Sequence, residues 1–271
     1  MTAESARFTG SIPEHYDRGL GPNIFVDFAT DMARRVAAVA PSRLLETAAG
    51  TGILTRSLRD ALPAGTSLTA TDLNPPMLEV AKGKFRSGEA VEFMPVDAQA
   101  LPFPDTVFDA VVCQFGIMFF PDKDKSYREV HRVLAPGGHY LFSVWDAFSY
   151  NGFIAIANGV VERIFPNDPP QFYKVPVSCH EIDPIKNALI SAGFSDIEIS
   201  VVSLQKEVAD PAGFARGLVF GNPLIEQIRA RGGVDPEEVV ATVLRELQRE
   251  FGSGPMRMPL QTIVFSAARR Q

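Results

Sequence analysis

Cysteine is scarce. Cys113 and Cys179 are the only two in 271 residues, which excludes a disulfide framework and a Cys-x-x-Cys metal or redox motif and fits a reducing cytoplasm. No metal-ligand spacing is present, so no metal is expected. No apolar run reaches the ~18 uninterrupted residues of a membrane span. Residues 1–10 are polar and lack the hydrophobic segment of a signal peptide, so a soluble cytoplasmic protein is expected. An excess of positive charge is missing too. Lys and Arg number 26 against 32 Asp and Glu, a net charge of -6, and no global field draws a phosphate backbone; neither nucleic acid nor membrane is an expected partner. Low-complexity tracts are absent, and a composition 46% hydrophobic and 21% charged suits a chain that buries a sizeable core. At roughly 150 residues per domain, the length allows one elaborated domain or a domain with a cap.

What is present is an alternation. Phe25, Phe28, Met32, Val36 and Val39 recur at three- and four-residue steps and predict an amphipathic helix over 24–39, stopped by Pro41. Residues 43–46 read as a strand, 47–52 as a glycine-bearing loop and 53–62 as a helix. A second strand over 67–71 ends at Asp72, and Pro75 and Pro76 open the next helix, where a missing N–H costs little. Strands follow at 91–94, at 109–114 and at 139–145, with a helix over 127–134 before the last. The run Asp122-Lys123-Asp124-Lys125 reads as a solvated helix start. Such alternation implies a parallel sheet with helices on both faces and ligands at the carboxyl ends of its strands. Beyond Trp145 the stretch containing Pro166, Pro169 and Pro170 reads as loop, followed by a helix at 184–192 and by two strands, 195–207 and 260–268, that bracket a helical insertion at 211–251.

The segment Glu46-Thr47-Ala48-Ala49-Gly50-Thr51-Gly52 joins strand to helix through small residues that admit a ligand close to the backbone. A dinucleotide loop wants Gly-x-Gly-x-x-Gly, and the third glycine position is Thr55. Asp72, twenty residues after Gly52 and at the end of the second strand, is placed either to accept both hydroxyls of a ribose or to cap a helix. Asp97 is equally a turn residue or a ligand contact. Phe115, Phe119 and Phe120, after the fourth strand, read as a cavity wall or as ordinary core, and a wall of this kind favours an apolar or aromatic ligand.

The ordered set of 44–52, then Thr71-Asp72-Leu73-Asn74, Asp97-Ala98-Gln99-Ala100-Leu101-Pro102-Phe103, Phe108-Asp109-Ala110-Val111 and Arg132-Val133-Leu134-Ala135-Pro136-Gly137-Gly138 resembles the class I S-adenosylmethionine-dependent methyltransferases. It is similar in particular to the small-molecule branch often called methyltransferase type 11, which includes quinone-biosynthesis C-methyltransferases. The resemblance covers about residues 12 to 146. It implies an α/β, doubly wound, Rossmann-like fold with a mostly parallel seven-stranded sheet of order 3-2-1-4-5-7-6. A helical lid over 1–42, a cofactor-binding core over 43–146 and a C-terminal part over 147–271, with cap helices inserted at about 210–252, complete the expected organisation. The implied cofactor is S-adenosylmethionine, with S-adenosylhomocysteine as product. By position, Glu46, Thr47, Ala48 and Gly50 would hold its methionine portion and Asp72 its ribose. Leu73, Met77, Asp97 and Ala98 would meet the adenine, Gln114 the methionine end or the acceptor, and Tyr16 would belong to the lid. Ala48 stands where the family more often has glycine; with small neighbours, the loop is expected to take its methyl without backbone strain.

Methyl transfer needs alignment and exclusion of water more than a dedicated catalytic group. A base is required only for a hydroxyl or acidic-carbon acceptor, and His15, beside the expected lid, is the first candidate among the histidines. The expected function is methylation of a small, apolar or aromatic acceptor, with a homodimer carried as an option. A nicotinamide-dependent oxidoreductase and a non-catalytic cofactor-binding protein of the same fold are the alternatives.

Overall fold

A computed structural model describes residues 3–270. The seven strands are β1 (Arg43–Glu46), β2 (Ser67–Asp72), β3 (Val91–Pro95), β4 (Phe108–Gln114), β5 (Leu134–Trp145), β6 (Phe194–Val208) and β7 (Met256–Arg269). They form one sheet of order β3-β2-β1-β4-β5-β7-β6. The first five are parallel, and β7 runs antiparallel to both β5 and β6. This is the doubly wound arrangement expected from the motifs, with its switch in strand order between β1 and β4.

Ahead of the sheet lie α1 (Ile12–His15), a π-helix (Tyr16–Phe25) and α2 (Val26–Ala38). α3 (Ile53–Ala61) and α4 (Pro75–Lys82) follow β1 and β2, and α5 (Lys123–Val133) precedes β5. Between β5 and β6 come α6 (Gly152–Ile164) and α7 (Ile182–Ser191); α8 (Pro211–Phe220), α9 (Leu224–Arg231) and α10 (Pro236–Phe251) fill the connection from β6 to β7.

Local chemistry sets these limits. α3 ends where Leu62 turns extended ahead of Pro63, as a residue before proline prefers. α5, α8 and α10 each open on an aspartate whose carboxylate accepts a backbone N–H: Asp122 from Lys125, Asp210 from Gly213 and Asp235 from Glu237. The central strands bury both faces, and neighbouring residues point to opposite sides. Leu44, Val112 and Leu141 pack with Met32, Val36 and Leu58, whereas Leu45, Val111 and Phe142 belong to the larger cluster that also holds Phe265 of β7, Phe214 of α8 and Val239 and Leu247 of α10.

Two expectations change. The stretch after Trp145 is not loop: residues 152–164 form α6, with Phe153, Ile154, Ala157, Val160 and Val161 buried. The helix expected over 24–39 arrives in two pieces, because Gly19, Gly21 and Pro22 lie in a wider-wound π segment that ends at Phe25. At Gly19 and Gly217 that segment and α8 meet backbone to backbone. A Cβ on Gly217 would lie 2.9 Å from Gly19 Cα, and one on Gly19 would lie 2.7 Å from Gly217 Cα, so both glycines are needed for the approach.

Candidate active site

Along the carboxyl edge of the parallel strands lies a cavity of about 290 Å³. At one end are Gly50, Asp72, Leu73, Asn74, Met77, Asp97 and Ala98; the rest of the lining includes Phe115, Phe120, Trp145, Phe153, Phe172 and Tyr173, with Phe119 between Phe8 and Phe172 at 5.7 Å and 6.2 Å. Tyr16, Leu20, Ile24 and Phe25 of the N-terminal π-helix line it too. A smaller recess beside it is bounded by Glu46, Ala48, Gly50, Thr51, Gln114 and Phe115. Tyr16, Phe25, Ala48, Gly50, Gln114 and Phe115 are shared, so the two spaces adjoin.

Asp72 organises the first end. It is 7% exposed; its Oδ2 accepts the Gly50 N–H at 2.8 Å and its Oδ1 the Asn74 N–H at 2.8 Å. The carboxylate therefore braces the loop after β1, and Asn74, not Asp72, occupies the N-cap of α4. Burial raises the Asp72 carboxyl above the ordinary aspartate range against three opposing hydrogen bonds, two from Asn74 and one from Gly50. Asn74 also fastens the N-terminal segment, accepting the Phe8 N–H at 3.1 Å and donating to the Ala6 carbonyl at 3.0 Å. Lys84 adds a second tie by pairing with Asp17 and donating to the Thr51 carbonyl. Asp97 is exposed at the rim, with its Oδ1 accepting the Gln99 N–H at 2.8 Å.

Glu46, at the end of β1, is 1% exposed, and its Oε2 has no hydrogen-bond partner. Burial pushes its carboxyl from 4.5 up to about 8; the Thr55 hydroxyl opposes the rise and the Asp72 carboxyl adds to it. Because the folded value lies above the unfolded one, the neutral form contributes stability that is complete below the unfolded value and is lost as pH rises through the folded one. Ligand-free protein is expected to melt at progressively lower temperature between about pH 4.5 and 8, and Glu46→Gln to flatten that slope in a thermal-shift series. Equal slopes in the two proteins would place the proton elsewhere.

Two loops meet beside the recess. Ala48 has φ +53°, which overturns the expectation that its loop would avoid a strained backbone; the left-handed region costs a residue with a Cβ roughly 1–2 kcal/mol. Gly116 lies against it, since a Cβ on Gly116 would stand 2.5 Å from Ala48 Cβ and 2.7 Å from Cys113 Sγ. Ala48→Gly is expected to stabilise the fold by about 1 kcal/mol in urea unfolding; a destabilised variant would show that the methyl contributes packing worth more than the strain.

Phe115 also has a positive φ, +54°, and its ring stacks on Trp145 with centroids 4.2 Å apart and planes 8° from parallel. Phe25 and Phe28 flank this pair, at 5.6 Å and 5.8 Å from the Phe115 ring. Tyr16 stacks on Phe25 at 4.9 Å. Gln114 ties into this group: its Nε2 donates to the Phe25 carbonyl at 3.4 Å, while its buried Oε1 has no partner.

Of the residues singled out by sequence, the structure brings Tyr16, Ala48, Gly50, Asp72, Leu73, Met77, Asp97, Ala98 and Gln114 to the cavity, and Glu46 to the recess. Thr47 and His15 line neither. Thr47 donates its N–H to the Val112 carbonyl, and the His15 ring packs 5.4 Å from Phe220. Sequence reasoning passed over Asn74 as a fastener, Trp145 as a wall, and Leu218 and Asn222 as lining. Only Asn74 carried a signal, the Asp-x-Asn spacing of an Asx turn.

The donor set suits S-adenosylmethionine. Two unpartnered buried oxygens, Glu46 Oε2 and Gln114 Oε1, belong to residues lining one recess, as a cationic amino-acid head with several N–H donors requires. Residues 45–142 match the family described as "Methyltransferase domain". A demethylmenaquinone methyltransferase of Thermus thermophilus is 37% identical over 151 residues, covering 53% of this chain and 68% of that protein. The ubiquinone/menaquinone biosynthesis C-methyltransferase UbiE of Escherichia coli O1:K1 is 30% identical over 171 residues, covering 57% of this chain and 67% of that protein. Further relatives of the UbiE kind are spanned for less than half of their length, 49% in one and 42% in another. Among solved structures, phosphoethanolamine N-methyltransferase 2 of Haemonchus contortus superposes with a TM-score of 0.62 at 17% identity, over 100% of this chain and 60% of that one, a likeness of fold alone. These matches set aside the nicotinamide-dependent alternative: the chain belongs to the class I S-adenosylmethionine-dependent methyltransferases and is an enzyme of that family.

Proposed function

We propose that this enzyme methylates a small, neutral, apolar or aromatic acceptor. The observation that carries the reading is one cavity running from strand-end carboxylates to a wall of phenylalanines and Trp145. No Lys, Arg or His is found among its described lining residues, so nothing there offsets the desolvation of a phosphate or carboxylate acceptor. Relatives named for demethylmenaquinone and for ubiquinone and menaquinone support an aromatic acceptor.

When bound, S-adenosylmethionine supplies a methyl group activated on a sulfonium. Asp72 would hold the ribose with the lone pair that Gly50 leaves on Oδ2, and Leu73, Met77, Asp97 and Ala98 would receive the adenine. Glu46 and Gln114 would take the amino-acid head. Phe115 and Trp145 present a rigid apolar face to the acceptor and exclude water from the line of transfer. Residues 1–42 act as a lid and the helices inserted at about 210–252 as a cap, an assignment supported by the close approach of Gly19 and Gly217.

The test is a product assay. Purified protein with S-adenosylmethionine is offered 1,4-dihydroxynaphthalene, catechol and phosphoethanolamine, and S-adenosylhomocysteine release is measured. Release with a ring acceptor and none with phosphoethanolamine is expected. Turnover confined to the charged compound would refute the reading.

A further inference from the structure

The part of the cavity lined by α6, by residues 172–176 and by Leu218 carries two polar side chains. Tyr173 and Asn222, each 3% exposed, both line it among Phe153, Phe172 and Leu218. The Tyr173 O–H donates to the Leu218 carbonyl at 2.5 Å, and Asn222 Nδ2 donates to the same carbonyl at 2.9 Å. That carbonyl lies in the last turn of α8 and lacks a helical partner of its own. Asn222 Nδ2 is also 3.4 Å from the Tyr173 oxygen, and Asn222 Oδ1 accepts the Leu224 N–H at 3.0 Å.

The protons here are thus committed within the protein. Tyr173 gives its single proton to Leu218, and the Asn222 amide is divided between Leu218 and Tyr173. A phenol oxygen accepts as well as donates, and one lone pair of the Tyr173 oxygen is left over. A group with spare accepting and no spare donating capacity recognises a donor. It favours an O–H or N–H on the ligand and offers nothing to a ketone or an ether.

We infer that Tyr173, held in place by Asn222 and the Leu218 carbonyl, is a specificity residue whose oxygen accepts a hydrogen bond from a hydroxyl or N–H group on the acceptor. The acceptor class narrows to a neutral ring bearing a hydrogen-bond donor, such as a phenol or hydroquinone. This rests on the proposed methylation of an apolar or aromatic acceptor. Tyr173 binds and orients here and is not a base, because burial raises its phenol above the ordinary tyrosine range.

The cavity carries its own reporter, since Trp145 is the only tryptophan in the chain and lines the same space. S-adenosylhomocysteine-saturated protein is titrated with 1-naphthol and with 1-fluoronaphthalene, a near-isostere without a donor, following tryptophan fluorescence. A net hydrogen bond of about 0.5–1.5 kcal/mol corresponds to roughly two- to tenfold tighter binding of 1-naphthol. Tyr173→Phe is expected to abolish that preference and to leave the affinities for 1-fluoronaphthalene and S-adenosylhomocysteine unchanged. A preference that survives in the variant overturns the inference. So does a native protein that binds both rings equally, whatever the variant does. Failure of both rings to bind native protein that still binds S-adenosylhomocysteine overturns the aromatic-acceptor reading itself, a separate result.

Discussion

Asp72→Ala is expected to weaken S-adenosylhomocysteine binding at least tenfold while the protein remains folded. The carboxylate is buried at the end of β2 and already accepts the Gly50 N–H, so it has lost bulk water and been positioned before any ligand arrives. A hydroxyl that reaches it finds a charged acceptor, and hydrogen bonds of that kind are worth about 1.5–3 kcal/mol each. Losing one is therefore enough for about a factor of ten. Removing the side chain also leaves the Gly50 N–H without its acceptor, which loosens the loop that bounds the recess. The cost to stability is moderated because burial of the carboxylate is itself unfavourable, as its raised pKa shows. Calorimetric titration of the native protein, Asp72→Ala and Asp72→Asn separates the two roles. The asparagine variant keeps an acceptor oxygen and is expected to fall between the others. Native affinity in the alanine variant would reduce Asp72 to a loop brace.

Trp145→Ala has a different signature, a stability loss of about 3–5 kcal/mol. Trp145 is 4% exposed and touches rings from four parts of the chain. It stacks on Phe115 at 4.2 Å, meets Phe28 and Phe153 edge-on, each at 5.6 Å, and lies 6.1 Å from Phe25. The N-terminal π-helix, α2, the β4 turn and α6 are thus joined through one indole. Phe115 depends on it most, because a bulky side chain at φ +54° persists only where its surroundings hold it. Urea unfolding followed by circular dichroism measures the loss, and calorimetry is expected to show 1-naphthol binding abolished with S-adenosylhomocysteine affinity retained. A loss below about 1 kcal/mol would mean that the cavity collapses around the gap and that the aromatic wall is not rigid.

The sequence was most legible where local pattern and topology agree. Unbroken apolar runs such as Leu44-Leu45 and Val111-Val112 announced strands buried on both faces, and Glu46, Asp72 and Gln114 end three neighbouring strands as the spacing implied. α6 escaped notice because it is apolar on most sides, begins without a side-chain cap and contains Gly152 and Gly159, so neither periodicity nor a start signal marks it. The strain at Ala48 was unreadable for another reason. Its φ belongs to a turn wedged against Gly116, 68 residues away in sequence, and side-chain size alone says nothing about such a contact. The Asn74 tie to Ala6 and Phe8 is likewise a product of packing. Tyr173 and Asn222 lie in segments outside the family motifs, where acceptor recognition can vary while the core is kept.

A crystal structure of the protein with S-adenosylhomocysteine is the most direct examination of these assignments. The ribose hydroxyls should lie within hydrogen-bond distance of the Asp72 carboxylate, the adenine between Leu73 and Met77 with Asp97 and Ala98 at its edge, and the amino group in the recess with Glu46 and Gln114. A nucleoside bound away from Asp72, or an amino group outside that recess, would overturn the reading of this edge of the sheet as a methyl-transfer site.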